Sequence, residues 1–201
     1  MARLRAAARG IAVSAALALC AAGLAAAGGG LEFNGPTIKN PTVPPLFALH
    51  DQDGQRVSLA GQRGRVVLLT FLYTHCPDVC PLVAGNLNLA LRALGPRRRQ
   101  VRVLAITVDP AGDTRASVRR FVREHQLAPE FRYLTGPRAT LQRLWAAYGV
   151  KSLKQAGGDR VDHTLYTLLL DRSLRGRVLY ASTATVSDID HDIRLLLSRP
   201  A

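Results

Sequence analysis

Two cysteines separated by three residues form the stretch of this sequence best suited to chemistry. They lie in the run Tyr-Thr-His-Cys-Pro-Asp-Val-Cys-Pro at residues 73–81. The apolar, β-branched run at 66–72 predicts a buried strand before it, and apolar residues at helical spacing predict a helix after it. Thiols at such a junction meet the free N–H groups of the helix start, which favour the thiolate. The thiolate is the form that attacks disulfides and binds metal ions.

The Cys76-x-x-x-Cys80 spacing lets both sulfurs reach one point, either as a disulfide or as two ligands of one ion. Pro81 disfavours helical geometry at Cys80, so the helix is predicted to begin at Pro81, with both cysteines on the turn before it. The alternative is a pair of buried structural cysteines. The polar neighbours His75 and Asp78 argue against that alternative.

A thiolate pair binds soft metal ions, but two ligands leave a metal site incomplete. The best further donor is His163, which follows Asp162 and a Gly-Gly loop, just before a predicted strand at 165–170. Loops at strand ends commonly present functional groups, and Asp162 is placed to orient the imidazole. A surface histidine with no ligand role is the alternative for this stretch.

Length and composition limit the classes of protein to which this sequence can belong. The 201 residues leave room for one domain of about 150 residues with extensions. The net charge of +13 comes from 24 arginines and three lysines against 14 acids, and the arginines are scattered along every predicted element. With few aromatic residues and no RNA-binding signature, no nucleic-acid partner is expected. The basic surface instead predicts solubility, proximity to anionic lipid, or docking on an acidic partner.

Residues 1–30 have the pattern of a targeting segment. Three arginines precede an uncharged, Ala- and Leu-rich stretch, so the rest of the chain is predicted to be exported. Residues 11–30 either stay as a membrane anchor, which we favour, or are removed as a signal after the small residues at 25–27. Cys20 follows a leucine where lipoprotein signals need a small residue, so lipidation is not expected.

An α/β domain is predicted at 46–199, after an extended Pro-rich linker at 31–45. The domain opens with a hairpin around an Asp-Gly turn, continues with strands that alternate with helices, and closes with a second hairpin and a helix. This order predicts a central mixed sheet with helices on both faces and an N-terminal hairpin.

Over about residues 44–198 the motifs resemble those of the SCO/SenC family, thioredoxin-fold copper chaperones for cytochrome c oxidase. The cysteine run resembles the first family motif, residues 107–114 the second, and residues 162–164 the third. The resemblance implies a thioredoxin-like fold and one copper ion bound by Cys76, Cys80 and His163.

The second motif departs from the family pattern at residues 111–112 and at Arg115, where charged residues and a proline are usual. A docking role for this loop is therefore not expected. Asp109 and Asp113 are predicted to be structural, as a loop anchor and a helix cap, although Thr114 is an equally competent cap.

The donor types agree with copper. Two thiolates and an imidazole suit Cu(I) and can also hold Cu(II). Structural zinc usually takes a fourth protein ligand, and His75 is too close to Cys76 in sequence to join it without strain. Met1 is the only methionine, so no methionine-rich site and no axial methionine of the blue-copper kind is expected.

A thiol–disulfide oxidoreductase is the alternative function. Such enzymes use Cys-x-x-Cys and, by resemblance, a cis-proline on the facing loop, but this spacing is one residue longer and no proline occurs between Pro137 and Pro200. His163 stands where that loop is expected, which favours a metal site. A peroxidase needs both Thr and Arg beside its thiolate, and only Thr74 accompanies the motif. Reduction of the cysteines of the oxidase copper site stays open beside copper handling.

The sequence therefore predicts a copper chaperone on the periplasmic side of the inner membrane that binds one ion, Cu(I) or Cu(II). Its expected partners are the copper-bearing subunit of cytochrome c oxidase and other copper chaperones, with the membrane reached through the N-terminal segment. Enzymatic activity is left open, with Cys76 and Cys80 as the redox pair.

Overall fold

The structure, a computed structural model, describes residues 32–154 and 161–199. The chain divides into two units between Leu31 and Glu32, and residues 32–201 form a compact unit by themselves. The predicted anchor and Cys20 lie outside the described residues. Within the described ranges, no helix is both long enough and apolar enough to cross a membrane.

The described residues contain nine strands and four α-helices. The strands are β1 Ala48–His50, β2 Arg56–Ser58, β3 Val66–Leu72, β4 Val101–Thr107, β5 Phe131–Leu134, β6 Ser152–Lys154, β7 Val161–His163, β8 Thr167–Leu170 and β9 Gly176–Tyr180. The helices are α1 Val79–Ala93, α2 Arg115–Glu124, α3 Arg138–Ala147 and α4 Val186–Leu197. Strands alternate with helices, and a hairpin and a helix close the domain, as predicted.

Five strands form the central sheet, in the order β5-β4-β3-β8-β9. Helical crossovers make β3, β4 and β5 parallel, whereas β8 runs antiparallel to both β3 and β9. Every residue of β3 is buried, which explains why its sequence is almost entirely apolar and does not alternate. The predicted central mixed sheet is confirmed. So is the N-terminal hairpin of β1 and β2, whose turn places Gly54 at a φ of 81°.

Helices cover both faces of this sheet. On one face α4 packs against α1, and Asn88 of α1 bonds to Gln126 and Ala128 just after α2. On the other face Tyr148, directly after α3, lies with its ring centroid 5.6 Å from that of Phe71 in β3. Packing on both sides holds β3 in place, and the cysteines follow the end of that strand.

The prediction that the first helix begins at Pro81 is wrong. The helix α1 begins at Val79 with Asp78 as its N-cap residue, so Cys80 and Pro81 lie in the first turn. Proline is tolerated there because the first N–H groups of a helix have no helical partner. The N–H of Cys80, which is also in this first turn, donates to the sulfur of Cys76, 3.4 Å away, and so ties the two cysteines together. The steric bias against helical geometry before proline is therefore overridden at Cys80.

Residues 34–42, within the predicted linker, lie along the edge strand β9. Three backbone hydrogen bonds join this segment to β9, one of them from the Gly176 N–H to the Thr42 carbonyl at 2.9 Å. The carboxylate of Asp192 in α4 accepts two further bonds from backbone N–H groups of the segment. The segment thus covers a sheet edge that would otherwise be open. The predicted boundaries at residues 30 and 45 stay a prediction.

Candidate metal centre

The cysteines lie between the end of β3 and the first turn of α1. Both are free thiols in a buried setting: Cys76 is 7% exposed and Cys80 is fully buried. Cys76 is therefore the outer sulfur, the one that an incoming partner meets first.

The two thiols differ in acidity because they share one hydrogen bond. The bond from the Cys80 thiol lowers the pKa of Cys76 to about 5; burial opposes this effect, and the N–H groups of Asp78 and Cys80 and the hydroxyl of Tyr73 add to it. The same shared bond, together with burial, raises the pKa of Cys80. At neutral pH the pair therefore consists of a Cys76 thiolate and a Cys80 thiol.

We expect iodoacetamide to modify Cys76 at nearly its full rate at pH 6 in the reduced, metal-free protein, because the thiolate dominates above a pKa of about 5. An ordinary cysteine, with a pKa of about 8.5, loses most of its thiolate by pH 7. Cys80 should stay unmodified in the folded protein. Peptide mass spectrometry across the pH range gives the rate for each cysteine.

The matched variant for this measurement is Cys80→Ser. This substitution replaces the Cys80 thiol, which donates to the Cys76 thiolate, by a hydroxyl. The pH midpoint of the Cys76 reaction should therefore change in this variant, while Cys76 stays reactive. A wild-type profile for Cys76 with its midpoint near pH 8.5 would contradict the assignment of the thiolate.

His163 reaches the cysteines from a two-stranded ribbon that is not apparent in the sequence. The strands β6 and β7 pair antiparallel with Ser152 opposite His163, so the histidine ends a strand, whereas the sequence predicts a loop. Its Nε2 lies 3.8 Å from Sγ of Cys80. Its ring meets the ring of Tyr73 edge to face, with centroids 5.7 Å apart. The structure therefore brings the predicted histidine to the predicted cysteine pair.

Burial lowers the pKa of His163, which favours the neutral imidazole, the form that binds metal ions. The Nδ1 atom lies 3.1 Å from the carbonyl of Thr164. A neutral ring that donates from Nδ1 to this carbonyl leaves the lone pair on Nε2, which faces Cys80. The structure gives Nδ1 the Thr164 carbonyl as a hydrogen-bond partner, and the charge of Asp162 also acts on the ring; an orienting role for Asp162 stays a prediction.

The donor set suits a soft metal ion but is not preassembled. Metal–sulfur and metal–nitrogen bonds of about 2.3 and 2.0 Å, at trigonal angles, place the two donors roughly 3.8 Å apart. Sγ of Cys80 and Nε2 of His163 have this separation. Among the described residues, however, no three His, Cys, Asp or Glu side chains are spaced to hold an ion. Binding through all three predicted ligands therefore requires a small local rearrangement.

Cys76 borders two cavities. The first, of about 200 Å³, is also lined by Tyr73, Asp162 and His163, and it provides room for such a rearrangement. The second, of about 310 Å³, is also lined by Thr74 and by Arg120 of α2. In the sequence no arginine accompanies the motif, yet the fold places one beside the same cavity. No sequence signal marks Arg120, because its position depends on how α2 packs.

Asp113 anchors the cysteine turn, and the prediction that it caps a helix is wrong. Its Oδ1 accepts from the N–H and hydroxyl of Thr74, at 2.8 and 2.7 Å, two residues before the first cysteine. Its Oδ2 accepts from the hydroxyls of Thr107 and Tyr133, at 2.6 and 2.8 Å. The cap of α2 is Thr114, the other candidate from the sequence. Burial raises the pKa of Asp113, although these four donors favour its charged form.

Asp109 closes the loop between β4 and α2, in agreement with its predicted structural role. Its N–H donates to the hydroxyl of Thr107 at 3.0 Å, and its carbonyl accepts from the N–H of Asp113 at 2.8 Å. Through these bonds the loop holds Asp113 beneath the cysteine turn.

Fold and site together define a thioredoxin-like α/β domain with a Cys-x-x-x-Cys turn at a strand–helix junction and a histidine on a neighbouring ribbon. Residues 36–198 match the SCO1/SenC family. The chain belongs to that family, as the resemblance of its motifs predicts.

Three similar proteins illustrate the match. The SCO1 protein homolog of Bacillus subtilis (strain 168) is 30% identical over 135 residues, which cover 64% of this chain and 69% of the relative. The structure of Bradyrhizobium japonicum ScoI with copper bound is 30% identical, with a TM-score of 0.69 over 77% of this chain and 99% of that chain. BsSco, a member of the Sco family of cytochrome c oxidase assembly proteins in which a disulfide switch was identified, is 25% identical, with a TM-score of 0.66 over 79% and 96%. These similarities confirm the predicted fold.

Proposed function

We propose that this protein binds one copper ion through Cys76, Cys80 and His163 and supports assembly of the copper site of cytochrome c oxidase. The observation that carries the proposal is the 3.8 Å approach of His163 Nε2 to Cys80 Sγ, beside the Cys76 thiolate. Membership in the SCO1/SenC family and the similarity to a copper-bound ScoI support it.

Copper is cargo in this proposal, and the donor set suits an ion that must be released. Thiolates and a neutral imidazole are soft donors that bind Cu(I) and tolerate Cu(II). Three protein ligands leave coordination space for a donor from an acceptor protein. Cys76 is the outer sulfur, so exchange with the acceptor begins there. Binding also releases the proton of the Cys80 thiol, which makes copper affinity rise with pH.

The partners that we propose are the copper-bearing subunit of cytochrome c oxidase, as acceptor, and other copper chaperones, as donors. The Sco family of cytochrome c oxidase assembly proteins, to which the similar BsSco belongs, supports the first assignment. The outer position of Cys76 suits either exchange, because both transfers pass through a mixed set of ligands from two proteins.

The cysteine pair also supports a second function, reduction of a disulfide in the copper-accepting site. The Cys76 thiolate attacks the substrate disulfide and releases one substrate thiolate. Cys80, losing its proton, then attacks the mixed disulfide, which forms the Cys76–Cys80 disulfide and frees the second substrate thiol. Two electrons pass from the pair to the substrate. The shared hydrogen bond favours this second function, since it supplies one thiolate and one adjacent thiol.

We place residues 46–199, the copper-binding domain, on the periplasmic side of the inner membrane. Residues 11–30 are the proposed anchor, with a cleaved signal as the alternative, and residues 31–45 are the proposed linker. Three arginines before the apolar stretch support this orientation, because basic flanks stay in the cytoplasm.

A reporter fused after Ala201 tests this orientation. A reporter that works only in an exported compartment should be active, and one that works only in the cytoplasm should be silent. The reverse pattern, measured in cells with equal amounts of both fusions, contradicts the proposed placement.

Copper binding itself is tested by titration of residues 32–201 with Cu(I), without oxygen and with the thiols reduced. This part of the chain is sufficient because it forms a compact unit by itself. We expect one copper per chain in competition with a chromophoric Cu(I) chelator. Loss of all copper to a weak chelator would contradict the proposal.

A further inference from the structure

Nine arginines from separate segments gather at the end of the central sheet that lies opposite the cysteines. Val66, the first residue of β3, pairs with Val101, the first residue of β4, and Val67 pairs with Leu170, the last residue of β8. The chain before β3, before β4 and between β8 and β9 therefore lies at one end of the sheet. The nine residues are Arg63, Arg65, Arg97, Arg98, Arg99, Arg102, Arg172, Arg175 and Arg177.

Hydrogen bonds join these segments into one surface, which we call the arginine end. The N–H of Gly64 donates to the carbonyl of Arg172 at 2.9 Å, and the guanidinium of Arg63 donates to the carbonyl of Ser173 at 3.3 Å. The guanidinium of Arg172 donates to the side chain of Gln100 at 2.8 Å. The charged groups are thus presented from a single connected support.

Few acids neutralise this surface. Within residues 32–154 and 161–199, its ion pairs are Arg98 with Glu130 at 3.3 Å and Arg177 with Asp171 at 3.6 Å. The remaining arginines of the set make no ion pair within those ranges. A strong positive potential is therefore expected at this end of the domain.

Positive charge is also close-packed at Arg102: burial lowers its pKa, the neighbouring cations Arg132 and Arg65 lower it further, and the acids Glu130 and Asp51 offset this only in part. Arg132 itself is compensated, because it pairs with Asp51 at 3.1 Å and with Asp53 at 3.7 Å. Acidic side chains therefore pair with arginine beside the β1–β2 hairpin, whereas they are few at the arginine end.

An exposed aliphatic residue adjoins this surface. The Gly176 N–H bonds to the Thr42 carbonyl, and the guanidinium of Arg175 donates to the Pro41 carbonyl at 3.3 Å. Val43, which directly follows Thr42, is 41% exposed. A small apolar side chain among cations is suited to entering the boundary between lipid headgroups and acyl chains.

We propose that the arginine end docks the domain on an anionic lipid bilayer by binding headgroup phosphates. Guanidinium groups bind phosphate in a bidentate manner, and arginines spread over several segments match a continuous anionic surface better than one compact ligand. The adjacent Val43 favours lipid over an acidic protein. The seven-residue strand β3 separates the arginine end from the cysteines by roughly 20 Å. A docked domain therefore keeps Cys76 accessible to a protein partner.

The test is cosedimentation of metal-free, reduced residues 32–201 with lipid vesicles. We expect binding to phosphatidylcholine vesicles that contain about 30% phosphatidylglycerol, no binding to pure phosphatidylcholine, and loss of binding at high salt. Binding to polyglutamate but not to these vesicles would overturn the lipid assignment in favour of an acidic protein.

A triple variant at exposed positions of the arginine end locates the surface. We expect its vesicle partition coefficient to fall about 100-fold. Its copper stoichiometry should equal that of the wild type, which reports an intact fold. The substitutions are Arg63→Gln, Arg99→Gln and Arg175→Gln.

The control removes the same charge from exposed arginines of β2 and α3. We expect its partition coefficient to fall by less than about threefold, because only screened long-range attraction is lost. Equal losses in the two variants would overturn the proposal, since net charge alone would then explain binding. The control substitutions are Arg56→Gln, Arg138→Gln and Arg143→Gln.

Discussion

Replacing either Cys76 or Cys80 by serine should abolish tight copper binding by the reduced protein. A serine hydroxyl is a hard donor that stays protonated at neutral pH, so it does not replace a thiolate on Cu(I). With one sulfur and His163 left, the site has two good donors. We expect the affinity for Cu(I) to fall by at least about three orders of magnitude, which corresponds to about 4 kcal/mol.

The measurement is competition for Cu(I) against a series of chelators, without oxygen, with copper per chain counted in each variant. The matched control is His75→Ala, which changes the residue next to Cys76 but removes no predicted ligand. This control should bind one copper with nearly the wild-type affinity. Full stoichiometry and affinity in the double variant Cys76→Ser/Cys80→Ser would disprove the assignment of the ligands.

The two cysteine variants should also differ from each other. Cys76→Ser removes the thiolate that is present at neutral pH, whereas Cys80→Ser removes the thiol that must lose its proton on metal binding. Copper binding by the wild type should therefore release about one proton, which comes from the Cys80 thiol, because Cys76 is already a thiolate. This release is measurable in weakly buffered solution.

The cysteine turn was predictable from the sequence because its signals are local. An apolar run bounded by Gly64, a polar turn and an amphipathic pattern identify strand, turn and helix within 30 residues of chain. The strand β3 is wholly buried, as its composition indicates. The helix start was misplaced by two residues, because a proline makes a helix boundary at the preceding residue probable without fixing it, and Cys80 is helical here.

The rest of the site depends on contacts between distant segments, and for that reason it was only partly predictable. His163 was predicted as a ligand, but not the β6–β7 ribbon that carries it, because three-residue strands leave little periodicity. Asp113 was expected to cap a helix, and its bonds to Thr74 and Tyr133 join elements 20 to 39 residues apart. The arginine end is a further case, since arginines scattered in sequence are gathered only by the strand order.

Replacing His163 by alanine should separate copper handling from disulfide chemistry. Copper binding uses the neutral Nε2 lone pair that faces Cys80, whereas thiol–disulfide exchange needs only the two sulfurs. We expect the affinity of His163→Ala for Cu(I) to fall by at least about 100-fold, or about 3 kcal/mol. The variant should still form and release the Cys76–Cys80 disulfide in a thiol–disulfide titration, and His50→Ala, an exposed histidine of β1, is the control for loss of an imidazole.

The decisive measurement is oxidase assembly at limiting copper in cells that carry each variant in place of the wild-type protein. If copper handling is the main function, His163→Ala cells should assemble little active cytochrome c oxidase, added copper should restore part of the activity, and His50→Ala cells should resemble wild type. If thiol reduction is the main function, only loss of Cys76 or Cys80 should cause a severe defect. Normal assembly in His163→Ala cells at limiting copper, with the variant present at wild-type levels, would therefore make reduction of the acceptor site the better assignment. We expect the first outcome, because the half-buried His163 places its Nε2 3.8 Å from Sγ of Cys80, where both can bind one ion, whereas disulfide exchange needs only the two sulfurs.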